Sequence, residues 1–374
     1  MAIFLTPETG EVTSFHCLNC QRPYPETGLP YRCLYCGGVF GLAAGIEYSP
    51  DRIEKEKPRL WRYRHSFGLP AGAPMVSLGE GGTPLVEGQG FGKKLAFKLE
   101  YLNPTGSFKD RGTAPLASWL LARSVPEAVE DSSGNAGASF AAYAARAGIK
   151  GRVFVPSYAS GPKRMQIEAY GAELVPIDGP RSQAAAAVQQ AAETGAVYAS
   201  HAYLPFGLPG IATISYELVE QLGSTPGSIL APVGHGSLLL GIAEGFAAMN
   251  AAGIIRQLPV LVGVQARPCA PLWALATQGA AGLSWVTEGE TVAEGVRVRQ
   301  PLRGDELLAA VEKSGGHFVA VEEEHILPAR DALALAGLLV EPTSALVWAA
   351  LQEVARDLPE PVVLILTGSG LKAL

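Results

Sequence analysis

No apolar run in the sequence approaches the ~20 residues needed to cross a bilayer, so nothing in it reads as a membrane span. Basic excess is absent too. Lys and Arg number 29 against 35 Asp and Glu, a formal charge of −6, and a nucleic-acid partner, which needs a basic face, is not expected. Charge of either sign is scarce at 17%, while hydrophobic residues make up 48% and glycines number 44. That balance excludes a disordered tail or a coiled coil and suits tightly packed α/β layers. No GxxxxGK[ST] segment occurs, which removes a P-loop nucleotide site. Met1 to Gly10 have no basic start followed by an apolar stretch, so no signal peptide is expected and the cytoplasm is the default location.

Cysteine is rare beyond residue 36, where Cys269 stands alone and reads as a small buried hydrophobe. The other four cysteines, Cys17, Cys20, Cys33 and Cys36, form two CxxC pairs separated by twelve residues. A two-residue gap lets both thiolates of a knuckle reach one ion, and four sulfurs complete a tetrahedral structural zinc site. Two disulfides would sit poorly with a cytosolic chain. Residues 1–45 are therefore expected to be a zinc ribbon too small to stay folded on its apolar core alone. The charged stretch Glu47 to Arg64, with Pro50, Pro58 and Trp61, reads as a linker or arm.

At 374 residues the chain is long enough for two or three domains of about 150 residues each. From Leu95 onward, strand-like and helix-like segments alternate, which predicts parallel strands joined by right-handed crossovers. Strands are expected at Ala128–Asp131, Arg152–Pro156, Glu173–Pro176, Ala196–Tyr198, Ser228–Val233, Val260–Gln265 and Pro361–Leu366. Ligands gather at the carboxyl edge of strands in open α/β sheets. Four glycine-containing turns, at Gly106, Gly134, Gly236 and Gly368, are placed to meet at one such cleft.

Their chemistry is complementary. Asn103 to Gly112 (NPTGSFKDRG) sets Lys109 in a tight turn ahead of a helix; a desolvated amine there attacks carbonyls, whereas a solvated one would be an ordinary loop lysine. Gly234, His235, Gly236, Ser237 and Leu238 lie between an expected strand and helix, where backbone N–H groups and the positive helix end favour an anion. Ser132, Ser133, Gly134, Asn135 and Ala136 offer hydroxyls, an amide and backbone donors at a second helix start, or simply cap that helix. Thr367 ends the most strand-like run with a hydroxyl. An amine, a phosphate cradle, a carboxylate loop and a hydroxyl for a ring nitrogen together match what pyridoxal 5'-phosphate requires.

Between Leu78 and Lys372 the sequence resembles the threonine synthases, of the tryptophan-synthase-β-like group (fold type II pyridoxal-phosphate enzymes), some of which carry a zinc ribbon. The blocks that carry the likeness are Glu80–Leu85 (EGGTPL), Asn103–Gly112, Ser133–Ala136 (SGNA), Glu341–Ala345 (EPTSA) and Thr367–Lys372 (TGSGLK). The resemblance implies two open, twisted, mostly parallel sheets with helices on both faces. It divides the chain into a large cofactor-binding α/β domain (46–100 with 202–374) and a small α/β domain (101–201) carrying the substrate-carboxylate loop. It implies that Lys109 forms a Schiff base with the cofactor and moves protons, that Asn135 bonds its phenolic oxygen, that Gly234 to Leu238 hold its phosphate and that Thr367 faces its ring nitrogen. Thr83, Ser132 to Ala136, Ser200 and His201 would contact a small amino-acid substrate, O-phospho-L-homoserine, in a homodimeric lyase that yields L-threonine and phosphate. Two regions depart from the family: Ser200 to Gly210 (SHAYLPFGLPG) has no basic residue but His201, and Gly234–Leu238 (GHGSL) is closer to dehydratase loops. A paralogue acting as a serine/threonine dehydratase or a β-replacement enzyme is the alternative.

Overall fold

The computed structural model describes residues 13–132, 134–157, 161–179 and 181–373. Strands β1 (Phe15–Cys17) and β2 (Phe40–Leu42) form an antiparallel ribbon at the amino end. The segment from Glu47 to Arg64, expected as a linker or arm, is instead folded into the body: Leu60, Trp61 and Tyr63 are all fully buried in the largest apolar core, as is Phe67 just beyond it. Its charges misled the reading, because the long side chains lie outside while the aromatics between them point in.

After this segment come the hairpin strands β3 (Leu85–Gly90) and β4 (Lys93–Lys98), then α1 (Lys109–Ala122). Next follow β5 (Glu127–Glu130), α2 (Asn135–Ala147), β6 (Lys150–Pro156), α3 (Pro162–Ala169), β7 (Glu173–Ile177), α4 (Arg181–Glu193) and β8 (Val197–Tyr198). The chain continues with α5 (Leu208–Leu222), β9 (Ser228–Pro232), α6 (Ser237–Ala251), β10 (Val260–Ala266), α7 (Pro271–Gln278), α8 (Gly304–Lys313) and β11 (His317–Val321). It closes with α9 (Glu323–Leu335), α10 (Pro342–Val354) and β12 (Val362–Ile365). The expected strands all occur, with ends shifted by up to two residues.

Two sheets result. One has six strands in the order β11-β10-β9-β12-β4-β3, parallel except for the antiparallel edge strand β3. The other has four parallel strands in the order β7-β6-β5-β8. Parallel strands need both faces covered, and the apolar runs of β9 and β12 accordingly show no alternation, every residue being buried. In the six-stranded sheet β9 leads away to β10 and β11 on one side while β12 and β4 lie on the other. At such a change of direction the loops leaving the strand ends part and open a crevice. The loops leaving β4, β9 and β12 there carry Lys109, Gly234–Ser237 and Thr367.

Candidate active site

Lys109 is fixed by the strand end beside it. The Phe108 N–H donates to the Thr367 carbonyl (3.0 Å), the Ser369 N–H donates to the Gly106 carbonyl (3.0 Å), and Ser107 bridges Gly368. Successive residues of a helix diverge by about 100°, so the three charges at the start of α1 point three ways. Lys109 lines the cavity, its Nζ lying 4.9 Å from the centre of the Phe108 ring. Asp110 turns inward and accepts from the Thr105 N–H (2.7 Å), the Thr105 hydroxyl (2.6 Å) and the Ser139 hydroxyl (2.7 Å). Burial pushes the Asp110 carboxyl up to about 6 against the pull of these hydrogen bonds. Arg111 is fully buried and donates to Glu100 (2.6 and 2.7 Å) and Glu217 (2.7 and 2.8 Å).

Across from the lysine, α6 begins at Ser237, and Gly236 before it has φ +96°, a left-handed conformation that only glycine adopts without strain. The first turn of this 15-residue helix therefore faces the cavity with its N–H groups. Gly234, His235, Gly236, Ser237 and Leu238 all line it. From the smaller sheet come Ser132, Gly134, Asn135 and Ala136; Ser133 lies outside the described residues. Thr367 is 2.8 Å from the Ser344 hydroxyl, which in turn accepts from the Gly368 N–H at 2.9 Å.

Several cavity residues had no role assigned to them from the sequence. Glu341 accepts from both sides of the cleft: the Asn135 Nδ2 donates to its two oxygens (2.9 and 3.0 Å), and Lys163 of α3 pairs with it at 3.1 Å. Its carboxylate fills the space above Gly368, where a Cβ would come within 2.2 Å of it. Beside the cavity but not lining it, Lys372 donates to the Thr105 carbonyl (2.8 Å), and burial pulls its amine down to about 8. The signal for Glu341 and Lys372 was their place in the EPTSA and TGSGLK blocks; Lys163 gave none.

Two candidates are placed elsewhere. Thr83 is buried off the cavity, where its hydroxyl donates to Glu100 (2.7 Å) and accepts from Arg111 (3.1 Å). Ser200 is also buried off the cavity, its hydroxyl accepting from the Ala202 and Tyr203 N–H groups at 3.3 Å each. The Thr83 hydroxyl is engaged by side chains and the Ser200 hydroxyl by backbone N–H groups, and neither residue lines the cavity. His201, next in sequence, does line the cavity. In the ribbon, the sulfurs of Cys17, Cys20, Cys33 and Cys36 lie within 4.8 Å of one another, with Cys17–Cys36 at 3.4 Å and Cys20–Cys33 at 3.6 Å. These separations are too long for disulfides, whose S–S bond is about 2.0 Å.

The cavity residues fit an anionic, heteroaromatic cofactor. Among the described residues the buried Asn135 Oδ1 and Ser237 Oγ have no partner, and burying polar groups in this way is costly unless a ligand bonds them. The crevice at the reversal of strand direction, with a lysine opposite a helix start, defines a pyridoxal-phosphate site of the fold type II kind. The family model described as pyridoxal-phosphate dependent enzyme matches residues 76–368, and the chain belongs to that family. Within it, the chain is similar to threonine synthases. That of Methanocaldococcus jannaschii is 34% identical, covering 95% of this chain and 92% of the relative, and that of Mycobacterium leprae is 36% identical, covering 79% and 83%. Among solved structures, a T.th. threonine deaminase superposes with a TM-score of 0.64 at 29% identity, covering 77% of this chain and 92% of that one. Maize serine racemase, at 24% identity and a TM-score of 0.66, shares the fold.

Proposed function

We propose that this chain is a pyridoxal-phosphate-dependent threonine synthase, converting O-phospho-L-homoserine and water into L-threonine and phosphate. The observation that carries the reading is the 34% identity with the Methanocaldococcus jannaschii threonine synthase over 95% of the chain, joined to a cavity that holds Lys109 opposite the start of α6. Pyridoxal phosphate, when bound, supplies an electron sink for bond breaking next to the substrate's amino carbon. Lys109 anchors it and carries protons to and from the substrate's carbons. The N–H groups at the start of α6 and the Ser237 hydroxyl hold its phosphate. Asn135 bonds the ring's phenolic oxygen, and Thr367, braced by Ser344, meets the ring nitrogen. A neutral hydroxyl there leaves the ring less electron-withdrawing than a carboxylate would, which suits elimination and replacement. Ser132 to Ala136 take the substrate carboxylate at the start of α2. Val296, Val298 and Leu238 give the cavity an apolar stretch of wall.

Incubation of the reconstituted enzyme with O-phosphohomoserine, serine and threonine tests this reading. Threonine and phosphate from the first substrate alone support it. The second reading, a dehydratase, is favoured by the lack of Arg or Lys in Ser200–Gly210 and by the likeness to a threonine deaminase. Release of 2-oxo acid and ammonia from serine or threonine, with O-phosphohomoserine inert, would replace the first reading by the second.

We further infer that the four ribbon cysteines hold a structural zinc. Tetrahedral Zn–S bonds of about 2.3 Å place sulfurs roughly 3.8 Å apart, close to the spacing of the cysteine cluster. Metal analysis should return about one zinc per chain; none, in protein purified without chelator, would contradict the assignment.

A further inference from the structure

The small sheet delivers a pair of side chains that the cofactor does not need. Glu130 is the last residue of β5, and His201 follows the neighbouring parallel strand β8 by three residues. The Ala199 N–H donates to the Val129 carbonyl (2.9 Å), which prolongs the pairing and keeps the two strand ends in register. The Glu130 carboxylate is 1% exposed, and its Oε1 lies 2.8 Å from the His201 Nδ1. Where the carboxylate accepts, Nδ1 carries the hydrogen, and in the neutral ring Nε2 is then the nitrogen that can take a proton. The imidazole lines the main cavity together with Lys109 and stands edge-on to His235 of the phosphate loop, ring centres 6.1 Å apart. It also borders an apolar recess formed by Phe108, Leu116, Leu204 and Ile211.

We propose that His201 is the base for the water consumed in the reaction and that Glu130 is the residue that positions it; this rests on the threonine synthase reading. The arrangement has the same logic as other carboxylate–imidazole pairs, in which the carboxylate fixes the ring and the far nitrogen takes a proton. In the step assigned to it, phosphate has already departed. An O–H bond of water breaks, its oxygen forms the new bond to the substrate's β-carbon, and its proton passes to Nε2 and from there to the released phosphate. Water thus supplies hydroxyl to carbon and hydrogen to phosphate, while Lys109 serves the carbon-bound protons.

The role separates loss of phosphate from addition of water, and the products report the difference. When water is not added, the unsaturated amino acid leaves and hydrolyses to 2-oxobutanoate and ammonia. Holoenzyme carrying Glu130→Gln or His201→Gln is compared with the parent on O-phosphohomoserine, with phosphate, threonine and 2-oxobutanoate quantified and the cofactor's visible absorbance recorded as the check on folding. The ratio of threonine to 2-oxobutanoate should fall on the order of 100-fold in His201→Gln and about 10-fold in Glu130→Gln, with phosphate release held within a few-fold. An unchanged ratio in the variants that retain the cofactor band overturns the proposal, as does a loss of phosphate release in parallel with threonine. If His201→Gln does not bind cofactor, Glu130→Gln decides alone, since its side chain keeps the shape and one accepting oxygen. A parent enzyme that releases no phosphate at all removes the threonine synthase reading itself and this proposal with it.

Discussion

Two polar clusters flank the first turn of α1, and they are built on opposite terms. Beneath it, Arg111, Glu100, Glu217, Lys98 and Thr83 form a closed network: Glu217 alone accepts from the Gly82 N–H (2.7 Å), from Lys98 (2.7 Å) and twice from Arg111. Burial alone would raise the Glu217 carboxyl, but Arg111 and Lys98 together hold it well below the usual carboxylate range. On the cavity side, the Asn135 Oδ1 and Ser237 Oγ are buried with no partner among the described residues, and Lys109 lines the same space. Buried charges that are fully paired specify where strands and helices sit. Polar atoms left waiting specify what comes in. Neighbouring residues of one turn therefore face different ways, Lys109 into the cavity and Arg111 into the buried network.

The comparison can be broken at either side. Lys109→Arg should leave the fold intact and lower turnover by at least about 10³-fold, read by threonine release. Arg111→Met should do the reverse in kind: it leaves the buried Glu100 without its cation and Glu217 with Lys98 alone, costing about 3–5 kcal/mol of stability in denaturant unfolding, and a variant as stable as the parent would show the network to be dispensable. Asp110 sits between the two cases. Its carboxyl is raised in the fold from 3.8 to about 6, so folding favours the protonated form, and its contribution is full below about pH 4 and is lost as pH rises through 6. Relative to Asp110→Asn, the parent should lose on the order of 2–3 kcal/mol over that window, measured as unfolding free energy against pH. Ser237→Ala should weaken cofactor binding by about 1 kcal/mol, several-fold in Kd, and leave the stability of the apoprotein unchanged or slightly raised.

Much of the cavity was legible before the fold was known, because its parts come as short turns with their own chemistry. Phe108 and Lys109 of NPTGSFKDRG, Gly134 to Ala136, the five residues of GHGSL and Thr367 all line the cavity, since glycine and strand-end hydroxyls mark places where backbone approaches a ligand. What escaped was long-range. Glu217 is 106 residues from Arg111, and Glu341 lies 206 from Asn135. Glu217 carries no local pattern, and the EPTSA block that contains Glu341 does not show which residue it meets, because such a contact is a property of the folded chain. Thr83 and Ser200 show the converse: hydroxyls next to glycine-rich or cleft-borne segments looked like ligand groups, but Thr83 bonds Glu100 and Arg111, and Ser200 bonds the N–H groups two and three residues on. The aromatic stretch near Trp61 was misjudged because its neighbours are charged.

The account stands on Lys109 being the amine that holds the cofactor. The holoenzyme should be treated with borohydride, digested and mapped by mass spectrometry. The cofactor's mass is predicted on the peptide containing Lys109 and is predicted to be absent from Lys163 and Lys372. A label on either of those two, or an unmodified Lys109 in protein that had bound the cofactor, would contradict it.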